Sequence, residues 1–189
     1  MVVWVGLGVL PPLCAVVVGI LVLTRGGPPP LVVIREAGVD VATGTPEEAV
    51  RAAEARAGFR MALPTELPYD DYYLAYVDTR LPTAARPGAG VSFAYRHVSE
   101  TASSFSVSQT AAHTLNIPPN LPPTDTSASG ASVWWSGEPI RLSSDPSVPR
   151  LQILVRSKLF DRVITFEGGP FPGKEAAFAM IESMLRQDE

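Results

Sequence analysis

Thiols are almost absent from this chain of 189 residues: its one cysteine, Cys14, lies in the N-terminal apolar run. The remainder can therefore form neither an internal disulfide nor a thiolate metal site, and a thiol-free domain suits an oxidising exterior. Histidine is nearly as scarce. His97 and His113 are the only 2, and no His-x-x-x-His or His-Glu-x-x-His spacing is present. No Gly-x-Ser-x-Gly elbow occurs, so the serines, which cluster in loops and on strand faces, offer no recognisable nucleophile. Positive charge is also short. Beyond residue 30 the chain carries 14 basic and 19 acidic side chains, a net of −5. That balance excludes nucleic acid, which selects clustered positive charge, and electrostatic adhesion to anionic lipid.

What is present is concentrated at the start. Residues 2–24 read VVWVGLGVLPPLCAVVVGILVLT, without a charge. A helix of that length rises ~1.5 Å per residue and reaches about 30 Å, the thickness of a bilayer core. A cleaved signal peptide would need a basic leader and a small-x-small site, and a lipoprotein would need small residues before Cys14; neither pattern is present. A core helix would show a polar face, which this run lacks. The run predicts a single transmembrane anchor over residues 1–25, inserted in the lipid bilayer through residues 2–24, with a kink at Pro11 and Pro12. Arg25 and Arg35 flank the run on its C-terminal side, but long domains translocate largely regardless of such charges. The expectation is a single-pass cell-membrane protein whose C-terminal domain lies outside the cytoplasm.

Gly26-Gly27-Pro28-Pro29-Pro30 opens an expected Pro/Gly-rich juxtamembrane linker over residues 26–44, stiffened by polyproline geometry. The globular domain is expected over 45–189. Thr45-Pro46-Glu47-Glu48 is a helix start: a capping threonine, a proline at the first helical position and a glutamate that closes a capping box. That helix should bury Ala49, Val50, Ala53 and Ala57 and stop at Gly58. Strand-like alternation follows at 72–79, 91–97 and 104–108. Residues 117–130 form the least ordered stretch, a mobile loop or covering flap whose prolines bar it from a central sheet. Ser136-Gly137-Glu138-Pro139 predicts a hairpin joining 133–135 to 140–142, and a second hairpin joins 151–156 to 163–166. A closing helix over 174–186 should bury Ala177, Phe178, Ile181, Met184 and Leu185. Two helices bracketing antiparallel strands define an α+β fold, a meander or half-barrel-like sheet packed with two helices and preceded by the anchor.

Several motifs in this order carry a resemblance. Ala57-Gly58-Phe59 leads to Leu63-Pro64 and Leu67-Pro68, then Val91-Ser92-Phe93-Ala94-Tyr95, Phe105-Ser106-Val107-Ser108-Gln109 and Ile181-Glu182-Ser183-Met184-Leu185. Over about 45–186 the chain resembles an uncharacterised bacterial extracytoplasmic domain family found in anti-sigma-factor-like and lipoprotein-carrier-like membrane proteins. Pro68-Tyr69-Asp70 departs from the glycine that often follows the second Leu-Pro in that family. The resemblance implies an outward-facing sensing or binding domain and carries no catalytic residues.

The chemistry on offer points to binding. Glu47-Glu48 suits a helix N-terminus, and Asp70-Asp71 marks a turn, with too few oxygen ligands around it for calcium. Residues 168–173 precede a helix as phosphate loops do but lack the Gly-Lys-Ser/Thr ending, so no nucleotide, metal or other cofactor is expected. Trp134 should face away from Val133 and Trp135, since adjacent strand residues point to opposite sides. Trp134, Tyr72 and Tyr73 are the candidate contact residues for an envelope protein or lipid ligand. The leading expectation is a non-enzymatic binding or sensing domain. The first alternative is an acyl-chain carrier of the lipoprotein-sorting type, which needs a cavity lined by Phe93, Tyr95 and Phe105. A hydrolase is the last, disfavoured by the missing motifs.

Overall fold

Strand structure begins within the segment expected as linker. The computed structural model describes residues 31–82, 88–98, 104–118, 120–138, 140–142 and 145–188. The chain divides into Met1–Pro30 and Leu31–Glu189; the expected anchor falls in the first unit, outside the described residues. Within the second, β1 (Val32–Glu36) and β2 (Val39–Gly44) form an antiparallel hairpin, so residues 32–44 are sheet rather than linker. Its two-residue turn needs positive φ at both positions, supplied by Ala37 (52°) and Gly38 (86°). The turn is tied down by Ala37 N–H donating to the Thr79 carbonyl and Gly38 N–H donating to Asp78 Oδ1, each at 3.0 Å.

Helix α1 (Pro46–Ala57) starts as its sequence predicts. The Thr45 and Glu48 side chains each accept a hydrogen bond from the other's backbone N–H, and Gly58 closes the helix in the left-handed region at φ 76°. Ala49 and Ala53 are its buried residues, while Val50 and Ala57 are half-buried. Then come β3 (Tyr72–Arg80), β4 (Gly90–His97) and β5 (Ser104–Ala111). After them run β6 (Asp125–Thr126), β7 (Ser132–Trp135), β8 (Ile140–Leu142), β9 (Asp145–Arg156) and β10 (Phe160–Glu167). Helix α2 (Lys174–Leu185) follows. The fold is α+β. Among the described residues one 10-stranded sheet runs β2-β1-β3-β4-β5-β10-β9-β7-β6, with β8 on β9, and every pairing is antiparallel except β1 with β3.

One expectation about the sheet is corrected, and of the two readings of 117–130 the covering flap is favoured. β7 and β8 do not pair with each other. Both pair with the long β9, β7 along 153–156 and β8 along its N-terminal part, so the predicted hairpin at 136–139 is instead a connection between neighbours on one strand. The stretch 117–130 is anchored: β6 pairs with β7, Lys174 Nζ meets Asp125 Oδ1 at 2.5 Å, and Glu182 accepts from Ala128 N–H and the Ser129 hydroxyl.

Pairing registers place the core on one face in transverse rows. One row runs Val91, Gln109, Arg162, Val155, Val133; the next Phe93, Val107, Ile164, Ile153, Trp135; the third Tyr95, Phe105, Phe166, Leu151. Ala177, Met180, Ile181, Met184 and Leu185 of α2 are buried in the same core. Trp135 joins it through Phe178, 6.4 Å between ring centroids. Apolar burial at about 25 cal/mol per Å2 makes this face the main source of stability.

A register shift in β3 decides which of its side chains reach this face. Leu74 lies opposite Tyr95 but Tyr76 lies opposite Ala94, leaving Ala75 as an extra residue. Such a bulge reverses the in–out parity beyond it. Tyr72 and Leu74 before the bulge therefore share the core side with Val77 and Thr79 after it.

Among the described residues, no helix is long and apolar enough to cross a membrane.

Candidate functional site

The two ends of the core face differ in chemistry. At one end Arg162, fully buried, donates from its guanidinium to both carboxylate oxygens of Asp188 (2.8 and 2.5 Å) and from Nε to Gln109 Oε1 (3.2 Å). The Ser157 hydroxyl adds a bond to Asp188, and Gln109 Nε2 donates to the Arg60 carbonyl. These polar groups satisfy one another. The arrangement closes this end of the core and fastens the segment after α2 to it.

At the other end the core continues outward as a chain of rings. Phe105 lies 5.4 Å from Phe166, 4.7 Å from Tyr95 and 5.5 Å from Tyr72, centroid to centroid. Tyr72 in turn stacks on Tyr69 at 5.8 Å and meets the His97 ring edge-on at 5.4 Å. There the surface opens into a cleft of about 420 Å3 lined by Leu67, Pro68, Tyr69, Asp70, Asp71, Tyr72, His97 and Pro170.

One wall of this cleft is 67–71, the end of the irregular segment 60–71. Pro64 and Pro68 lack the N–H that a central strand would need, so the backbone is held by side chains instead. Ala62 N–H reaches Gln109, Thr65 and Glu66 N–H both reach the Ser183 hydroxyl, and Gln187 donates to the Leu63 carbonyl. The Tyr69 hydroxyl donates to the Pro170 carbonyl at 3.2 Å across the cleft. Burial, and secondarily the neighbouring Tyr72 phenol, push the Tyr69 hydroxyl above its ordinary pKa, so it stays protonated as that donor. Asp70 and Asp71 are exposed at the rim, and no ion pair among the described residues engages either carboxylate.

The three candidate contacts do not converge. Tyr72 lines the cleft. Tyr73, opposite Arg96, lies on the other face of the sheet. Trp134 is half-buried on the outer face of β7, and its indole N–H donates to the Leu121 carbonyl at 3.1 Å, so the proline-rich segment covers part of it. Four strands separate β7 from β3, roughly 24 Å at ~4.8 Å per strand. Tyr69, His97 and the Asp70-Asp71 rim were not singled out as contacts in the sequence. The signal for them is the interruption of strand parity at Ala75, which brings Tyr72 to the core side beside His97. Phe93, Tyr95 and Phe105, expected to line a carrier cavity, are buried in mutual ring contact, and neither this cleft nor the one below is lined by them. Burial raises the Tyr95 phenol well above its usual pKa.

On the outer face, Asp161 is buried. Burial alone would raise its carboxyl. Hydrogen bonds from Arg156 (2.7 and 2.9 Å), the Leu115 amide, the Arg156 charge and the His113 amide outweigh that and hold it below the ordinary carboxylate range. The Asp161 bond in turn raises the Arg156 pKa. This pair anchors the turn after β5. A second, shallower groove of about 620 Å3 lies along α1, lined by Pro46, Glu47, Val50, Arg51 and Leu63. No group of three or more His, Cys, Asp or Glu suited to a metal occurs among the described residues.

Fold and cleft together define an α+β domain with an acid-rimmed aromatic cleft. No family model, curated protein or solved structure matches the chain, so the site speaks through its own geometry.

Proposed function

We propose that this chain is a membrane-anchored, non-enzymatic binding domain, held outside the cytoplasm by residues 2–24, that recognises an envelope protein through the Tyr69–Tyr72–His97 cleft. One observation carries the reading: the ring chain of the core runs out through Phe105 and Tyr72 to rings that line a cleft at the surface. Rings that are rigid, apolar in body and polar at the tip suit recognition, and a concave site of this size is where ligands bind. The sequence supports the remainder of the reading, through its uncharged N-terminal run, thiol-free domain and resemblance to extracytoplasmic sensing domains. In this reading the sheet acts as a half-barrel around α2, with the cleft at its mouth. Packing of Phe93, Tyr95 and Phe105 argues against the acyl-carrier alternative.

Photo-crosslinking in the native membrane tests this. A photoreactive residue at position 70, on the cleft rim, should give one discrete protein adduct, while the same residue at exposed position 39 on β2 should not. No adduct from position 70, or the same set from both positions, refutes the reading.

A further inference from the structure

The irregular segment 60–71 is held in two different ways along its length. Among the described residues, no backbone–backbone hydrogen bond involves 60–70, so side chains hold this stretch in place of a ladder. Its first half is embedded. Met61, Ala62 and Pro64 are buried, and Met61 N–H donates to Glu54 Oε1 at 2.9 Å. Gln109, itself fully buried, holds the Arg60 carbonyl and the Ala62 N–H. The second half is only stapled, and none of residues 65–71 is buried. Thr65 and Glu66 N–H share one acceptor, the Ser183 hydroxyl, at 3.1 and 3.3 Å. Arg186 pairs with Glu66 at 2.5 Å, but both side chains are more than half exposed, where such a pair contributes little. At the far end the Tyr69 hydroxyl donates to the Pro170 carbonyl at 3.2 Å.

We propose that residues 65–71 are a strap that opens as one piece, and that the Tyr69–Pro170 bond is the fastening a partner displaces as it enters the cleft. Partner entry rests on the binding reading above; the motion of the strap does not. The strap is stiff, because Pro64 and Pro68 fix two φ angles and bias Leu63 and Leu67 toward extended backbone. Its ends are anchored: Pro64 is buried, and the Asp71 carbonyl accepts from Val98 N–H at 2.9 Å. Between these anchors it is held by the Ser183, Arg186 and Pro170 contacts and by Leu67, which packs partly buried against the core. A segment with few buried contacts and exposed hydrogen bonds opens at a free energy well below that of global unfolding. The opposite wall stays in place. Gly168 N–H is bonded to the Pro149 carbonyl at 3.2 Å, and Phe171 packs against the core. Leu67, Tyr69 and Pro170 all line the cleft, so movement of the strap widens it and uncovers Leu67. The Tyr69–Pro170 bond is exposed, so its loss costs little, and its carbonyl then becomes an acceptor for an N–H of the incoming polypeptide.

The test is native-state hydrogen exchange of the full chain in neutral detergent, read by NMR on single amides, with Val107 in β5 as the reference for global unfolding. Tyr69→Phe removes the hydroxyl and keeps the ring. It should speed exchange at Thr65 and Glu66 about fivefold, although both amides are bonded to Ser183 and not to Tyr69, and leave Met61, Ala62 and Val107 unchanged. Thr45→Ala, at the cap of α1, should leave Thr65 and Glu66 unchanged. Exchange at Thr65 and Glu66 that is unmoved by Tyr69→Phe, or a gain shared equally by Met61 and Ala62, overturns the strap. In the native membrane, Tyr69→Phe should raise the rate of adduct formation from a photoreactive residue at position 70 by a similar factor, because it raises the fraction of chains with the strap open. Faster exchange with an adduct rate unchanged or lowered overturns the role of the Tyr69–Pro170 bond as the fastening. If exchange is faster but position 70 gives no adduct with either side chain at 69, the binding reading falls and partner entry with it, while the motion of the strap stands. If adducts form but exchange at Thr65 and Glu66 is unmoved, the strap falls and the binding reading stands.

Discussion

The two ends of the core face are built on one sheet and under one helix, yet they end in opposite ways. At the Arg162 end a buried guanidinium, a carboxylate, an amide and a hydroxyl satisfy one another. At the Tyr72 end the terminating groups are rings and two carboxylates that no ion pair among the described residues engages, around a cleft. A polar group buried in a core must be paired, so the first end is committed to structure. Rings and exposed carboxylates tolerate water and also tolerate a partner, so the second end suits recognition. Stability and binding should therefore separate in mutants of the two ends.

The sharpest way to break that comparison is Asp188→Ala. It leaves the Arg162 charge buried without its carboxylate and should cost about 3–5 kcal/mol, read from urea denaturation, with a large fall in melting temperature. A loss below about 1 kcal/mol would mean that the polar end does not close the core. Tyr72→Ala at the other end, half-buried against Phe105, should cost about 2 kcal/mol and also lose cleft binding. Thr45→Ala lies at neither end and should cost about 1 kcal/mol through the lost helix cap, with binding intact. Asp161 supplies a pH signature. Its folded pKa is depressed, so its contribution is present above the ordinary aspartate value of about 3.9 and is lost as pH falls through the lower folded value. Acid titration of Asp161→Asn should lack that component, leaving a shallower loss of stability below about pH 4. The smallest effect belongs to Asp70→Asn/Asp71→Asn: within about 0.5 kcal/mol of the parent in stability, because both residues are exposed and no ion pair among the described residues engages them.

Much of the fold was legible because local chemistry and tertiary structure agreed. Thr45-Pro46-Glu47-Glu48 announced α1 and Gly58 ended it, and the alternation of Phe105 and Val107 with serines announced β5. The β1–β2 hairpin was missed because its turn is Ala37-Gly38 rather than an Asn-Gly or Asp-Gly pair, and positive φ at an alanine is not a sequence signal. The turn is instead held by Thr79 and Asp78, some 40 residues away. The residues 136–139 read as a hairpin because their composition is right for one, but strand partners are chosen by the whole sheet, and β9 is long enough to pair with both β7 and β8. The cleft was half legible. Tyr72 was singled out as an aromatic beside a turn, whereas its grouping with Tyr69 and His97 depends on the Ala75 bulge and the tethered 60–71 segment. Trp134, the most conspicuous aromatic in the sequence, finds a carbonyl partner in the proline-rich stretch instead.

The most direct test of the contrast between the two ends is NMR of the full chain in neutral detergent during titration with a soluble paramagnetic chelate. The Tyr69 and Tyr72 ring signals report on the cleft end, and the buried Gln109 side-chain amide reports on the Arg162 end. The account predicts that the two tyrosines lose intensity progressively while Gln109 keeps its own. Equal losses at Gln109, or none at Tyr69 and Tyr72, would contradict it.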